Sequence, residues 1–471
     1  MSEVGSGQSV GIMEDHGSLL ARIARLESLV AEQAAIIAAQ AARIAELEDQ
    51  LRRRGKKFTP KPNSAPRPPK PDRRTTEFRK HPGQARPEPA VPVDVIEHDV
   101  LVDACPACGE AMQATGEFTD HFVEEIPEPK IEVHRFRRHV CRCAACGAKA
   151  QGRSDLAVPG SHLGPRAKLS TVFSRAHLGI SLGKTTALMQ ELFGLSFSTA
   201  AACGHLRWFS TRFDPVVREL LELLRRSPVV HADETGWRIN GKNVWCWCFS
   251  NPQLAVFLIE RSRSAAVVKE ALGESLPGVL VTDFYSAYHA IACKKQRCLA
   301  HLLRELSKLR DELPAAAVAR HIRPLIALFQ DAMALAGRRG ELPADEFARQ
   351  AAEIRKRFND RWWRQSSEAD CQRIYDRLRR RRHELLTFLD EAAVPPDNNA
   401  AERDIRSVAA ARADGGVNRT DWGAKAFGVA KSVVRTCRKN GLNFLRYAEQ
   451  ALARIAAGEP PGLPLPGPAP R

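Results

Sequence analysis

Val229-Val230-His231-Ala232-Asp233-Glu234-Thr235-Gly236-Trp237 reads as a short apolar strand that ends by presenting a carboxylate. Gly278-Val279-Leu280-Val281-Thr282-Asp283, followed by Phe284-Tyr285, repeats the design. A third carboxylate stands in Pro395-Pro396-Asp397-Asn398-Asn399-Ala400-Ala401-Glu402-Arg403, where a helix starts after the prolines with Asp397 or Asn398 as its cap. On that helix Asn398, Glu402 and Arg406 share a face. Hard divalent cations take oxygen ligands, and a rigid sheet edge fixes such ligands in space. Two strand-end aspartates and a helix glutamate are therefore a donor set for two-metal phosphoryl transfer. An acid ending a buried strand is costly without a partner, which separates Asp233 and Asp283 from ordinary surface charges. Glu234 and Asp404 are the nearest rivals.

Outward from the first stretch, Asn240-Gly241 is a hairpin signal. Residues 244–249 and 254–259 read as second and third strands, 264–272 as a helix and 279–282 as a fourth strand. Three antiparallel strands, a helix and a returning strand open an RNase H-like topology, in which the strands ending in Asp233 and Asp283 are neighbours. The expected fold class is α/β: an RNase H-like catalytic core with an α-helical insertion, plus an N-terminal coiled coil and a small zinc-binding module.

Lys and Arg number 71 against 55 Asp and Glu, a net charge of +16 that favours a polyanionic partner. Cysteines number 12 in 471 residues, too sparse for a disulfide scaffold, and several sit in Cys-x-x-Cys or Cys-x-x-His spacings that suit metal in a reducing compartment. No signal core is visible, and no apolar run reaches the ~18–20 residues of a membrane span. The expectation is a soluble, cytoplasmic protein without a membrane partner.

Residues 1–18 are expected to be disordered. From Leu19 to Leu51 a four-three spacing puts Ile23, Val30, Ile37 and Ile44 at a, and Leu19, Leu26 and Leu47 at d, with Gln33 and Gln40 as polar interruptions. That pattern predicts a parallel two-stranded coil over 19–52 and hence a homodimer. Residues 53–98 form a Pro-rich basic linker whose Lys56, Lys57, Arg73 and Arg74 suit phosphate contact. In 99–153, Cys105-Pro106-Ala107-Cys108-Gly109 and Cys143-Ala144-Ala145-Cys146-Gly147 are two knuckles suited to tetrahedral zinc. The assigned ligands are Cys105, Cys108, Cys143 and Cys146, with Cys141 competing for the third place and a strand hairpin (117–125 and 131–140) filling the gap. Residues 154–226 read as helical, with 178–183, 184–193 and 198–208 fitting either a helix-turn-helix-like element in which Ser198 is a cap or a helical layer that only packs on the catalytic sheet. Gly183-Lys184-Thr185 is not a phosphate loop, because no strand precedes it. Residues 227–304 form the first part of the core and 305–394 the helical insertion, whose basic run at 377–383 includes the DNA-contact candidates Arg380 and Arg381. Residues 395–457 complete the core with a C-terminal helical element, and 458–471 are a Gly/Pro-rich tail expected to be disordered.

Together these motifs resemble the insertion-sequence-sixty-six family of bacterial DDE transposases. The resemblance rests on His231–Trp237, Thr282-Asp283-Phe284-Tyr285-Ser286-Ala287-Tyr288, Cys298-Leu299-Ala300-His301-Leu302-Leu303-Arg304, Asp397-Asn398-Asn399-Ala400-Ala401-Glu402-Arg403-Asp404-Ile405-Arg406 and Ser432-Val433-Val434-Arg435-Thr436-Cys437-Arg438-Lys439-Asn440-Gly441. It implies a core that cuts and rejoins double-stranded DNA at transposon ends. By residue match, Asp233, Asp283 and Glu402 would hold two Mg²⁺ ions, with Mn²⁺ as a substitute and Asp233 bridging. Asn398, Asn399, Arg403, Arg406, Cys298 and His301 would support them. It also implies a bacterial, nucleoid-associated location and makes accessory transposition proteins candidate partners. Cys298 and His301 alone are half a metal site, so structural or DNA-proximal roles are expected of them rather than zinc. The competing class is a zinc-containing DNA-binding protein that keeps the fold without the chemistry, such as a repressor or a decayed element.

Overall fold

The computed structural model describes residues 16–54, 96–119, 123, 125–126, 128–152, 161–362 and 364–466. The stretch before residue 16, the linker residues Lys56, Lys57, Arg73 and Arg74, and the tail beyond residue 466 lie outside the described residues. The described residues divide into two compact units between Glu125 and Ile126.

In the first unit, α1 (His16–Arg54) is a continuous helix of 39 residues, about 58 Å long at 1.5 Å per residue. Leu26, Val30 and Ile37 of its apolar stripe are 60–68 % exposed, so at these positions the seam expected of a coiled coil is uncovered within one chain. The first cysteine knuckle is a tight turn. The Gly109 N–H donates to the Cys105 carbonyl at 2.8 Å, with Gly109 at φ 80°, and a bridge between Ala104 and Ala111 closes the base.

The second knuckle, in the other unit, is built alike. Gly147, at φ 72°, donates to the Cys143 carbonyl at 3.0 Å, and β1 (Val140–Arg142) pairs antiparallel with β2 (Lys149–Gln151) across the base. Glycine takes this backbone conformation at no steric cost. Part of the hairpin predicted between the knuckles, at 120–122 and 124, lies outside the described residues; each knuckle tips its own short ladder.

Helices α2 (Pro165–Phe173), α3 (Leu182–Phe193) and α4 (Thr199–Arg225) precede the main sheet. Ser198 caps α4 as expected, accepting the Ala201 N–H at 3.1 Å, and Ser181 caps α3 in the same way. Of residues 178–183, expected as one helical piece, Leu178 ends a π turn (Ser174–Leu178) and 182–183 open α3, because Gly179, at φ 75°, turns the chain between them. The chain then forms β3 (Val229–Ile239), β4 (Lys242–Ser250), β5 (Ala255–Glu260), α5 (Ala265–Leu272), β6 (Ser275–Thr282) and β7 (Ala292–Arg297). The five strands lie in the order β5-β4-β3-β6-β7, with the first three antiparallel and β6 and β7 parallel to β3. Asn240 and Gly241 take positive φ at the β3–β4 turn, as the hairpin signal requires.

After the sheet come α6 (Leu299–Glu312), α7 (Ala315–Ala317) running through a π turn into α8 (Arg323–Gly337), α9 (Ala344–Trp362) and α10 (Ala369–Arg380). Leu306, Leu325, Phe329, Ile354 and Tyr375 of these helices pack against Val229, Val279 and Val281, so the predicted insertion lies on one sheet face. On the same face, α11 (Asn399–Gly415) packs Ile405 and Val408 against Trp237, Cys246 and Cys248. The opposite face packs Val230, Ala232, Trp247 and Leu280 against α4, α12 (Asp421–Lys439) and α13 (Phe444–Ala456).

Both sheet edges are closed by side chains. Along β5, the Phe257 N–H donates to Ser432 Oγ at 2.8 Å and the Ala255 N–H to Thr436 Oγ1 at 3.2 Å. Helix α12 comes this close because Gly428 has no side chain: a Cβ there would lie 2.7 Å from the Phe257 carbonyl oxygen. Along β7, Thr387 Oγ1 donates to the Lys295 carbonyl at 2.7 Å. Unpaired edges invite association, and these contacts occupy them. The described part of the tail, up to residue 466, departs from expectation. Leu463 and Leu465 pack on the core, Pro464 is buried, and Tyr447 Oη donates to the Gly462 carbonyl at 2.9 Å. Apolar residues between the prolines give this extended segment something to bury.

Candidate carboxylate site

Strand alternation decides which acid faces what. Val230 and Ala232 belong to the core under α4 and α12, so His231 and Asp233 point to the opposite face, over which α11 lies. The parallel register Val229↔Val279, Val230↔Leu280 and His231↔Val281 carries Asp233 and Asp283 to the same end of adjacent strands. Asp233 Oδ1 accepts the Glu234 N–H at 2.9 Å, and Asp283 Oδ1 accepts the Tyr285 N–H at 2.8 Å. Arg297 holds the backbone behind Asp283. Fully buried, it donates to the Asp283 carbonyl at 2.7 Å and Thr282 Oγ1 at 2.9 Å, and pairs with Glu384 of the insertion at 2.5 Å.

Helix α11 is tied to β3 by Asn398. Its Nδ2 donates to the Ala232 carbonyl at 2.8 Å, and its Oδ1 lies 3.0 Å from His231 Nδ1. Burial keeps His231 below the usual imidazole range, against the pull of that Asn398 bond. Asn398 thus occupies the cap position without capping, and Asp397 instead accepts the Asn399 N–H at 3.0 Å. One turn on, Glu402 has a side chain only 12 % exposed, with Arg304 at 3.0 Å, Arg406 at 3.2 Å and His301 Nδ1 at 3.6 Å. Cys298, buried before α6, accepts the Asn398 N–H on Sγ at 3.2 Å. Burial pushes its thiol up, while the N–H groups of Asn398, His301 and Ala300 pull it down. Arg403 is exposed, with nothing against it that defines a role.

The electrostatics single out Asp233. Its carboxyl is pushed up to about 7, first by burial and then by Glu234, Asp283 and Glu402, with only the Glu234 N–H opposing. A half-buried carboxylate on which the leading charged influences are acids fits a divalent cation, because the cation relieves burial and repulsion together. Asp283 and Glu402 thus both act on Asp233.

The rivals have other partners. Glu234 lies on the opposite strand face with a side chain 2 % exposed, bonded to Tyr288 Oη and to Arg263 at 2.6 Å. The Arg263 guanidinium lies between the rings of Trp245 and Tyr285, 4.3 and 4.1 Å from their centres. Asp404 is fully buried between Arg435 at 2.6 Å and Lys439 at 2.9 Å, both on α12. Of the basic-run candidates, Arg380 is exposed, whereas Arg381 is engaged by His289 at 2.7 Å and Glu384 at 3.3 Å.

A mixed sheet with acids at the same end of two adjacent strands, in a strongly basic chain, suits a DNA-processing enzyme. Residues 161–426 match the family model described as Transposase IS66 family, and the chain belongs to that family. Relatives of this chain include two uncharacterized proteins of Sinorhizobium fredii. One, y4jD, is 22 % identical over 407 residues, covering 78 % of each chain. The other, y4hP, is 23 % identical over 407 residues, covering 78 % of this chain and 73 % of its own. A third, y4jO of the same organism, is 33 % identical over 114 residues. Among the described residues no helix is long and apolar enough to cross a membrane.

Proposed function

We propose that the protein is a DDE transposase with an RNase H-like core, binding transposon ends and catalysing Mg²⁺-dependent DNA cleavage and strand transfer through Asp233, Asp283 and Glu402. The observation that carries this reading is the Asp233 carboxyl, pushed to about 7 in a half-buried place where its charged neighbours are Glu234, Asp283 and Glu402. Two Mg²⁺ ions, or Mn²⁺ in their place, would supply Lewis acidity for in-line attack of water or a DNA 3′-hydroxyl on a phosphodiester. The chain's own part is positional. Asp233 is held in the β3–β4 ladder, Asp283 directly follows β6, Arg297 braces the backbone of Asp283, and Asn398 holds the start of α11 against β3.

The remaining modules serve DNA and assembly. Cys105, Cys108, Cys143 and Cys146 are assigned to structural zinc. In each knuckle the first cysteine, Cys105 or Cys143, is held below the usual thiol range chiefly by backbone N–H groups of its own turn. Helices α3 and α4 present a helix-turn-helix order to DNA. The uncovered stripe of α1 is assigned to a parallel homodimer, and the linker's basic residues to phosphate.

The deciding assay is Mg²⁺-dependent cleavage and strand transfer on DNA carrying the element's own ends, with wild type beside Asp283→Ala and Glu402→Ala. Activity lost in both variants with DNA binding retained supports the reading; activity surviving in Glu402→Ala removes Glu402 from the set. One observation favours the non-catalytic alternative: Arg304 and Arg406 already neutralise Glu402. Tight end binding by a wild type without any metal-dependent activity would establish that alternative.

A further inference from the structure

Among the described residues, one group of metal-ligating side chains has its donor atoms gathered: Cys298, His301 and Glu402, all within 4.8 Å of one another. We infer that these three residues form a second metal site, for a borderline cation of the Zn²⁺ class. Three observations carry the inference. His301 Nδ1 is buried and has no hydrogen-bond partner, an arrangement that leaves a ring nitrogen free to donate to a metal. It stands 3.6 Å from Glu402 Oε1. Two ligands of one tetrahedral zinc, with bonds of about 2.0–2.3 Å, lie roughly 3.3–3.6 Å apart. Finally, Cys298 Sγ is buried and already accepts the Asn398 N–H, the kind of outer support that orients a metal ligand.

The donor set chooses the ion. Thiolate and imidazole suit zinc or cobalt, whereas Mg²⁺ takes oxygen and keeps its waters. Three protein ligands leave the fourth position open for water. Arg304 and Arg406, the present partners of Glu402, have side chains 60 % and 72 % exposed and can return to solvent at little cost. The site joins the first turn of α6 to α11, which clarifies why a Cys-x-x-His that looks like half a site in the sequence lacks its second half: that half arrives from residue 402, a hundred positions on. The consequence, though not the binding itself, rests on the transposase reading. An ion here shares Glu402 with the Asp233–Asp283 pair and so sets where that carboxylate sits.

The test uses the full-length chain, stripped of metal and titrated with Co²⁺, following thiolate-to-cobalt charge-transfer absorption and bound equivalents. Wild type is compared with Cys298→Ser, His301→Gln and Glu402→Gln, with Cys143→Ser reporting knuckle sites separately. The expected result is one cobalt equivalent, with its thiolate band, missing from Cys298→Ser and bound at least 10-fold more weakly by His301→Gln. Asp233→Asn should leave that equivalent in place. Identical equivalents and spectra in wild type, Cys298→Ser and His301→Gln would overturn the site. If Cys298→Ser does not fold, His301→Gln, at a half-exposed residue, decides alone. Because the readout needs no turnover, a chain without strand cleavage that still binds this cobalt keeps the site and loses only the catalytic reading.

Discussion

Two carboxylates in this fold are buried on opposite terms. Asp404, inside the α11–α12 contact, is fully enclosed and met by Arg435 and Lys439. Asp233, at the end of β3, is half-buried, and the charges that act on it are acids. The fold supplies Asp404's counter-charges from its own chain, whereas among the described residues Asp233 has no ion pair. Burial alone therefore separates nothing; the sign of the surrounding charge does. A structural acid is neutralised from within, whereas one awaiting a ligand is left repelled.

The largest effect that could break this comparison is on catalysis. Asp233→Asn should lower metal-dependent strand cleavage by on the order of 10³-fold, since lost metal stabilisation is worth several kcal/mol. Asp404→Asn, measured in the same assay at a temperature where it is folded, should keep its Mg²⁺ dependence. Equal losses in the two would mean that the distinction by counter-charge fails. Stability should order them the other way. Asp404→Ala leaves Lys439, itself only 11 % exposed, beside a hole, and should cost about 3–5 kcal/mol in denaturant melts. Asp233→Asn, measured without metal, should stabilise.

How much of this was legible beforehand follows the same line. Asp233 and Asp283 end apolar runs, so the sequence pattern exposes them, and the order of strands follows from hairpin signals. The strand β7 was missed because Lys294-Lys295-Gln296-Arg297 carries no apolar period, although Lys295, Gln296 and Arg297 are buried. Their polarity is answered by groups remote in the chain: Gln296 Oε1 accepts the Phe388 N–H, and Arg297 pairs with Glu384. The same remoteness hid the pairing of Glu402 with Cys298 and His301, and the role of Asn398 as a tie to β3. Local spacing can mark a residue as unusual; it cannot say what arrives opposite it.

The pH dependence of stability sharpens the comparison at intermediate size. Asp233 rises from an ordinary value of 3.8 to about 7, so between those limits the folded chain holds a proton that the unfolded chain has released. Stability of the metal-free protein should then fall as pH rises through that window, by on the order of a few kcal/mol. Thermal melts in chelator at about pH 5 and pH 8 would show it. Mg²⁺ at the higher pH should restore the loss, and Asp233→Asn should flatten the slope. A metal-free protein that becomes more stable across the window would contradict the repelled state of Asp233.

The smallest expected effect concerns neutral groups. Ser432 and Thr436 meet the edge N–H groups of β5 much as Arg435 and Lys439, on the same helix, meet Asp404. A neutral hydrogen bond contributes about 1 kcal/mol net, and an orphaned buried amide costs about 1–3 kcal/mol. Ser432→Ala and Thr436→Val should each destabilise by about 1–2 kcal/mol. They should also speed hydrogen exchange at Phe257 and Ala255 respectively, and leave strand cleavage unaltered. Because these amides carry no charge, their cost should not change with pH. A pH-dependent loss in Ser432→Ala would mean that α12 positions the acids as well as the edge, and would merge the two regions that the charges keep apart.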